Sequence, residues 1–167
     1  MDNLFLNGRK IKGFSLVEIM IVMAVVGILS GLVITVINPA QLRARSRDAI
    51  RVADLKKIQT ALELRFADFR NYPATPAGWM TVPAALAAPL SSYYSGTLPV
   101  DPNGFSATFS CTNNFGYYYR SGGSNYVLVA KMETTSVDYV PCNKVSNCTT
   151  YGCSSCTTNC HAVQNPF

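Results

Sequence analysis

From Phe14 to Ile37 the chain runs for 24 residues with one ionisable side chain, Glu18. At about 1.5 Å per residue, a helix of that length crosses a bilayer core of about 30 Å. A secretory signal peptide has an apolar core of about 7–15 residues followed by a small-residue cleavage site. This run is longer, and no such site interrupts it before Asn38. A plain membrane anchor accounts for the length but not for the acid. A carboxylate near the centre of a membrane helix costs about 2.5–3.5 kcal/mol, so such residues have a partner and a task. No cation lies within the run. Scission immediately before Phe14 would create one, a free α-amino group with a reference pKa near 8, four residues from Glu18.

The residues around that cut carry a resemblance. Behind the basic residues Arg9, Lys10 and Lys12, the stretch Gly13-Phe14-Ser15-Leu16-Val17-Glu18 resembles the processing site of type IV pilins and type II secretion pseudopilins. The resemblance implies a leader, residues 1–13, removed by a prepilin peptidase that cuts after Gly13 and N-methylates Phe14. It also implies that Glu18 sets assembly register by neutralising the amine of a neighbouring subunit. Expected partners are identical subunits, minor pilins, the membrane, and a pilus or secretion assembly platform. The subunit would sit in the bacterial inner membrane first, then in an extracellular pilus or a periplasmic pseudopilus. Physically, the bilayer stores the apolar helix until helices pack side by side in a filament. There an unpartnered carboxylate costs several kcal/mol, and a neighbour's amine turns that cost into a register-specific contact. Gly27, Ser30 and Gly31 offer small surfaces for close helix approach, although membrane helices have this composition in any case.

The pattern after Asn38-Pro39 stays helical. Val52, Leu55, Ile58, Leu62, Phe66 and Phe69 recur at spacings of three and four, an amphipathic face. Arg51, Lys56, Lys57, Glu63, Arg65 and Arg70 fall on the opposite face. Pro39 removes a backbone donor and should bend or locally melt the helix; many family members carry a proline earlier, where this chain has Thr35. Tyr72-Pro73 ends the helix. Residues 73–104 read as a connecting loop with a short helix near 82–88. Its turn, Leu98-Pro99-Val100-Asp101-Pro102-Asn103-Gly104, resembles that of major pseudopilins. Strand runs at 115–120 and 125–132, with a Gly122-Gly123 turn, predict a hairpin, and 137–140 reads as a third short strand. The expected fold is α+β. A long N-terminal helix, apolar over 14–38 and amphipathic over 39–70, packs on a small antiparallel sheet within a head of residues 71–140, and a cysteine-rich tail covers 141–167.

Hydrophobic residues make up 49% of the 167 and charged residues 14%, against roughly 25% charged in an average soluble domain. Mean hydropathy is +0.15. The cations cluster: three precede the apolar run, and Arg43, Arg45, Arg47, Arg51, Lys56 and Lys57 follow it. The stretch from Arg43 to Lys57 suggests nucleic-acid or anionic-lipid contact, with a solvated helix face just outside the membrane the preferred reading. By the positive-inside rule it would also place the head in the cytoplasm, against the cysteines.

Cys111, Cys142, Cys148, Cys153, Cys156 and Cys160 form an even set that favours disulfides and an oxidising compartment, with fifteen full pairings open. Cys153-x-x-Cys156-x-x-x-Cys160-His161 also has zinc-ligand types, and Cys153-x-x-Cys156 lacks the strand-to-helix setting of a redox pair. The disulfide reading outweighs both, because cross-links of about 2–4 kcal/mol each would replace packing in so polar a tail. Asn147-Cys148-Thr149 is a glycosylation sequon. Asp101 and Asp138 are the acidic candidates for a calcium site, with turn-forming roles preferred, so no cofactor is expected. With one histidine, His161, near the chain end and no phosphate loop, catalysis is disfavoured. The few head cations, Arg120, Lys131 and Lys144, argue against direct nucleic-acid binding. The expected function is that of a pilus-like filament subunit serving adhesion, motility or DNA uptake. The alternatives are a type II secretion pseudopilin and a membrane-anchored metal-binding or adhesive module.

Overall fold

The structure is a computed structural model that describes residues 13–36, 38–110, 113–135, 139–153, 156 and 159–166. The chain divides into two compact units, Met1–Pro39 and Ala40–Phe167. The first holds α1 (Leu16–Val36). Its length and apolarity suffice to cross a membrane, and its aliphatic side chains, from Leu16 to Val33, are exposed.

The helical stretch is two helices. Asn38 is non-helical and α2 (Pro39–Phe69) opens on the proline. Proline disfavours helical geometry in the residue before it, yet its fixed φ suits the first helical position. Thr35 lies within α1. At its far end α2 stops at Phe69, and Arg70 takes a left-handed φ of 56° while its N–H still reaches Phe66 O at 2.9 Å. The predicted apolar face holds from Val52 to Phe66: Leu55, Ile58 and Leu62 are fully buried. Phe69 is 57% exposed, with the Arg65 guanidinium over its ring at 4.8 Å from the centroid.

The sheet is antiparallel, in the order β1 (Met80–Thr81), β2 (Tyr117–Ser121), β3 (Tyr126–Lys131), β4 (Cys160–Gln164). The predicted hairpin is β2–β3, in register from Tyr117↔Ala130 to Ser121↔Tyr126, and Gly123 supplies a left-handed φ of 98° in its turn. A short α3 (Val82–Leu86) stands in the connecting loop. Strand alternation sends Tyr117, Tyr119, Tyr126, Leu128 and Ala130 towards the α2 core, and Val127 and Val129 to the opposite face. Each buried aliphatic side chain contributes about 1.5–3 kcal/mol.

Two expectations change. Val140 is not in a strand, and residues 137 and 138 lie outside the described residues. The tail supplies the strand instead: β4 pairs with β3 from Val127↔Gln164 to Lys131↔Cys160. The tail also forms a second core. Cys142, Cys148, Cys153, Cys156 and Cys160 are buried with Val127, Val129, Val145 and Ala162, next to a 3-10 turn (Cys142–Lys144) and α4 (Ser146–Thr150). Disulfide sulfur is apolar enough to fill a layer, so a polar-looking sequence still covers the back of the sheet.

Candidate assembly site

At the N-terminus of the described chain, Gly13, Phe14 and Ser15 precede the helix, and Phe14 is 79% exposed. Ser15 O accepts the N–H groups of Glu18 at 3.1 Å and Ile19 at 3.3 Å, which starts α1. Glu18 lies in its first turn, where the positive end of the helix dipole favours an anion. It is exposed, and among the described residues its carboxylate has no hydrogen-bond or ion-pair partner. The surrounding side chains, Leu16, Val17, Ile19 and Met20, are exposed apolar groups. A Cβ placed at Gly27 or Gly31 would meet nothing within 4 Å, so these glycines relieve no crowding inside the subunit.

The head holds charge in the opposite way. Arg51, expected on the solvated face, is fully buried. Its guanidinium grips Asp101 bidentately, with Nε to Oδ2 and Nη2 to Oδ1 both at 2.8 Å. Nη1 donates to Asp48 Oδ1 at 2.7 Å and to Glu133 Oε1 at 2.8 Å. Arg47, one turn earlier, donates through Nε to Glu133 Oε1 at 2.8 Å. Asp48 also accepts the N–H groups of Glu133 and Thr134, each at 2.9 Å. Burial alone would lower the Arg51 pKa, but the three carboxylates hold it above the ordinary arginine value. The Arg47 hydrogen bond, helped by Arg51 and opposed by burial, lowers Glu133 to about 2. Two further α2 acids receive tyrosine hydroxyls: Tyr117 Oη of β2 donates to Asp54 at 3.0 Å, and Tyr126 of β3 and Tyr72, just after α2, donate to Glu63 at 2.8 and 2.9 Å. The polar side of α2 is therefore a second set of attachments, to the sheet through Tyr117 and Tyr126 and to the loops through Asp101, Glu133 and Tyr72. Local periodicity gives no sign of this, since Arg51 and its partners Asp101 and Glu133 lie 50 and 82 residues apart.

Comparison with known proteins bears on the N-terminal segment and on the head. Residues 8–34 match the prokaryotic N-terminal methylation motif. The chain is 33% identical over 101 residues to the type II secretion system core protein G of Escherichia coli (strain K12), covering 57% of this chain and 68% of that protein. The chain belongs to the type IV pilin and pseudopilin family. A fimbrial protein of Dichelobacter nodosus is 34% identical over 99 residues, 56% of this chain and 62% of its own length. Core protein G of Aeromonas hydrophila is 32% identical over 102 residues, 58% and 70% of the two chains. No solved structure matches significantly.

In this pilin-like subunit the cysteines act as cross-links. Cys142 joins Cys160, with Cα atoms 5.7 Å apart, and Cys148 joins Cys153, at 4.7 Å. Cys156 is buried and not free; Cys111 lies outside the described residues. Cys153 and Cys160 thus belong to different bridges, which separates the ligand types of the zinc reading. His161 is a strand residue, 4% exposed, and not part of a loose end. Its Nδ1 accepts the Val140 N–H at 3.0 Å, and burial, with Lys56 nearby, lowers its pKa to about 4. Asn147 of the sequon is 9% exposed, and its amide donates to Tyr126 O and Asn165 Oδ1, both at 2.8 Å, so it is committed to packing. Of the calcium candidates, Asp101 gives both oxygens to Arg51 and also accepts the Asn103 N–H at 2.8 Å, an anchored turn. Asp138 lies outside the described residues.

Proposed function

We propose that this subunit is built into a filament of the type IV pilus kind, drawn from the inner membrane through α1 after removal of residues 1–13. In this reading Gly13 ends the leader, Phe14 becomes the methylated N-terminus, and Glu18 pairs with the Phe14 amine of a neighbouring copy. The observation that carries it is the isolation of Glu18. The carboxylate sits among exposed aliphatic side chains and lacks a partner among the described residues, whereas every acid buried in the head has one. In this reading the amine of an arriving chain supplies the counter-charge, which ties burial of α1 to one register. The work is structural, not catalytic, and needs no cofactor. Prepilin peptidase, an assembly platform and minor pilins are the partners it requires. Cystines on the head support an extracytoplasmic location for it.

A second reading is a secretion pseudopilin. It is favoured by the Leu98–Gly104 turn and by the similarity to two core G proteins. Long surface filaments on cells identify a pilus, whereas loss of protein secretion on deletion, without surface filaments, identifies a pseudopilus.

Intact-mass and N-terminal analysis of the mature protein tests the shared claim. The expected chain starts at N-methylated Phe14, and a mature chain still bearing residues 1–13 overturns the proposal. In the same cells Glu18→Ala should abolish fibres while the subunit still reaches the membrane.

A further inference from the structure

The basic stretch after the apolar helix contains two kinds of cation. Arg47 and Arg51 are consumed by Asp48, Asp101 and Glu133, Lys57 leans on Asp54 at 3.3 Å, and Lys56, though exposed, lies on the length of α2 that packs on the head. Arg43 and Arg45 differ. Both are exposed, neither has an ion-pair partner among the described residues, and the first acid that follows them, Asp48, is buried and fully engaged. The head covers α2 only from Arg47 onward. Before it, every residue from 39 to 46 is exposed except Ala44, which is half-buried. Residues two apart on a helix project about 200° from each other, so the two arginines project from opposite sides of an uncovered helical turn.

Their place along the chain is equally specific. Arg43 follows the end of α1 by seven residues, which limits it to at most about 25 Å from Val36 by any path and to about 10 Å if the path is helical. The interfacial zone begins where the hydrocarbon core ends and extends roughly 5–7 Å on each side. Long arginine side chains reach back into it. A guanidinium presents paired donors that match two oxygens of a phosphate, and cations just outside a span are attracted to anionic lipid surfaces. This also bears on the charge asymmetry noted from the sequence. A cationic segment on the side that carries disulfides is anomalous as a topology signal but apt as a ligand for phosphate.

We propose that Arg43 and Arg45 form a collar for anionic phospholipid headgroups, one on each side of the helix, that holds the subunit at the membrane surface before it is taken into a fibre. The inference rests on the reading of α1 as the membrane-inserted segment.

The test uses the mature full-length protein in nanodiscs of phosphatidylcholine and phosphatidylglycerol at 3:1, with the lipids retained on the protein counted by native mass spectrometry. Wild type should carry phosphatidylglycerol in excess over its bulk share. Arg43→Gln with Arg45→Gln should remove that excess, on the order of fivefold in relative retention per arginine. Lys144→Gln, an exposed head cation, should leave it intact. Retention at the bulk ratio by wild type, or an unchanged excess in the double variant, overturns the collar and leaves the anchor reading standing. Failure of wild type to enter nanodiscs at all overturns the anchor reading and the collar together. A double variant that loses fibres while keeping its lipid excess assigns the arginines to a contact with a second copy and also overturns the collar.

Discussion

Glu18, among exposed apolar side chains, and the Asp48–Asp101–Glu133 group, among charged and backbone donors, are carboxylates treated in opposite ways. In the head, three acids converge on Arg51 and are reinforced by Arg47 and by backbone donors. Helix, turn and the loop after β3 are thereby fixed to one another within one chain. On α1 the acid stands exposed with no partner among the described residues. If Glu18 acts as proposed, the cost of burying a carboxylate specifies a fold where the counter-charge is internal and an assembly where it is not.

The largest effect should come from removing the internal partner. Arg51→Met leaves three carboxylates around an apolar side chain, and breaking a buried pair of this kind costs about 3–5 kcal/mol. The head should melt on the order of 10–25 °C lower, read by near-UV circular dichroism in detergent. A change of only a degree or two would mean that the cluster adds little.

Acid should act on the head in two stages. Folded His161 titrates at about 4 instead of 6.5, so the unfolded chain takes up its proton first and stability falls as pH drops from about 6.5 towards 4. Glu133, at about 2 in the folded state against 4.5, contributes stability that is present above about 4.5 and is lost as pH falls towards 2. Urea melts across pH 7 to 3 should show a first decline that His161→Asn flattens and a second that it leaves in place. A pH-independent midpoint across the first window would contradict the burial of His161.

The smallest effect on stability sharpens the contrast. Glu18→Gln should leave the unfolding free energy of the head, read on the detergent-solubilised protein, within about 0.5 kcal/mol of wild type, the range for substitutions that touch nothing. A large loss would show that Glu18 has an internal role after all.

Much of this was legible from local pattern. A long apolar run, a 3–4 periodicity and a glycine turn between alternating strands each act over a few residues, and α1, the Val52–Phe66 face of α2 and the β2–β3 hairpin followed from them. β4 was not legible. Its five residues, Cys-His-Ala-Val-Gln, sit in a Ser/Thr-rich stretch, and the core they cover consists largely of cystine, which has no periodic signature. Arg51 was misplaced for a related reason: its burial is conferred by acids at Asp101 and Glu133, and nothing near position 51 announces them. At the N-terminus, residue types single out Glu18 and suggest scission before Phe14; the partner proposed for that acid lies on another molecule, outside the geometry of a single subunit.

About five turns of uncovered aliphatic side chain on α1, from Leu16 to Val33, set the supply of building material. A molecule carrying that surface has no appreciable reservoir dissolved in water. Growth of the fibre would then respond to how many copies occupy each unit area of bilayer, not to how many are present per unit volume. Shrinkage would have to return each copy to lipid.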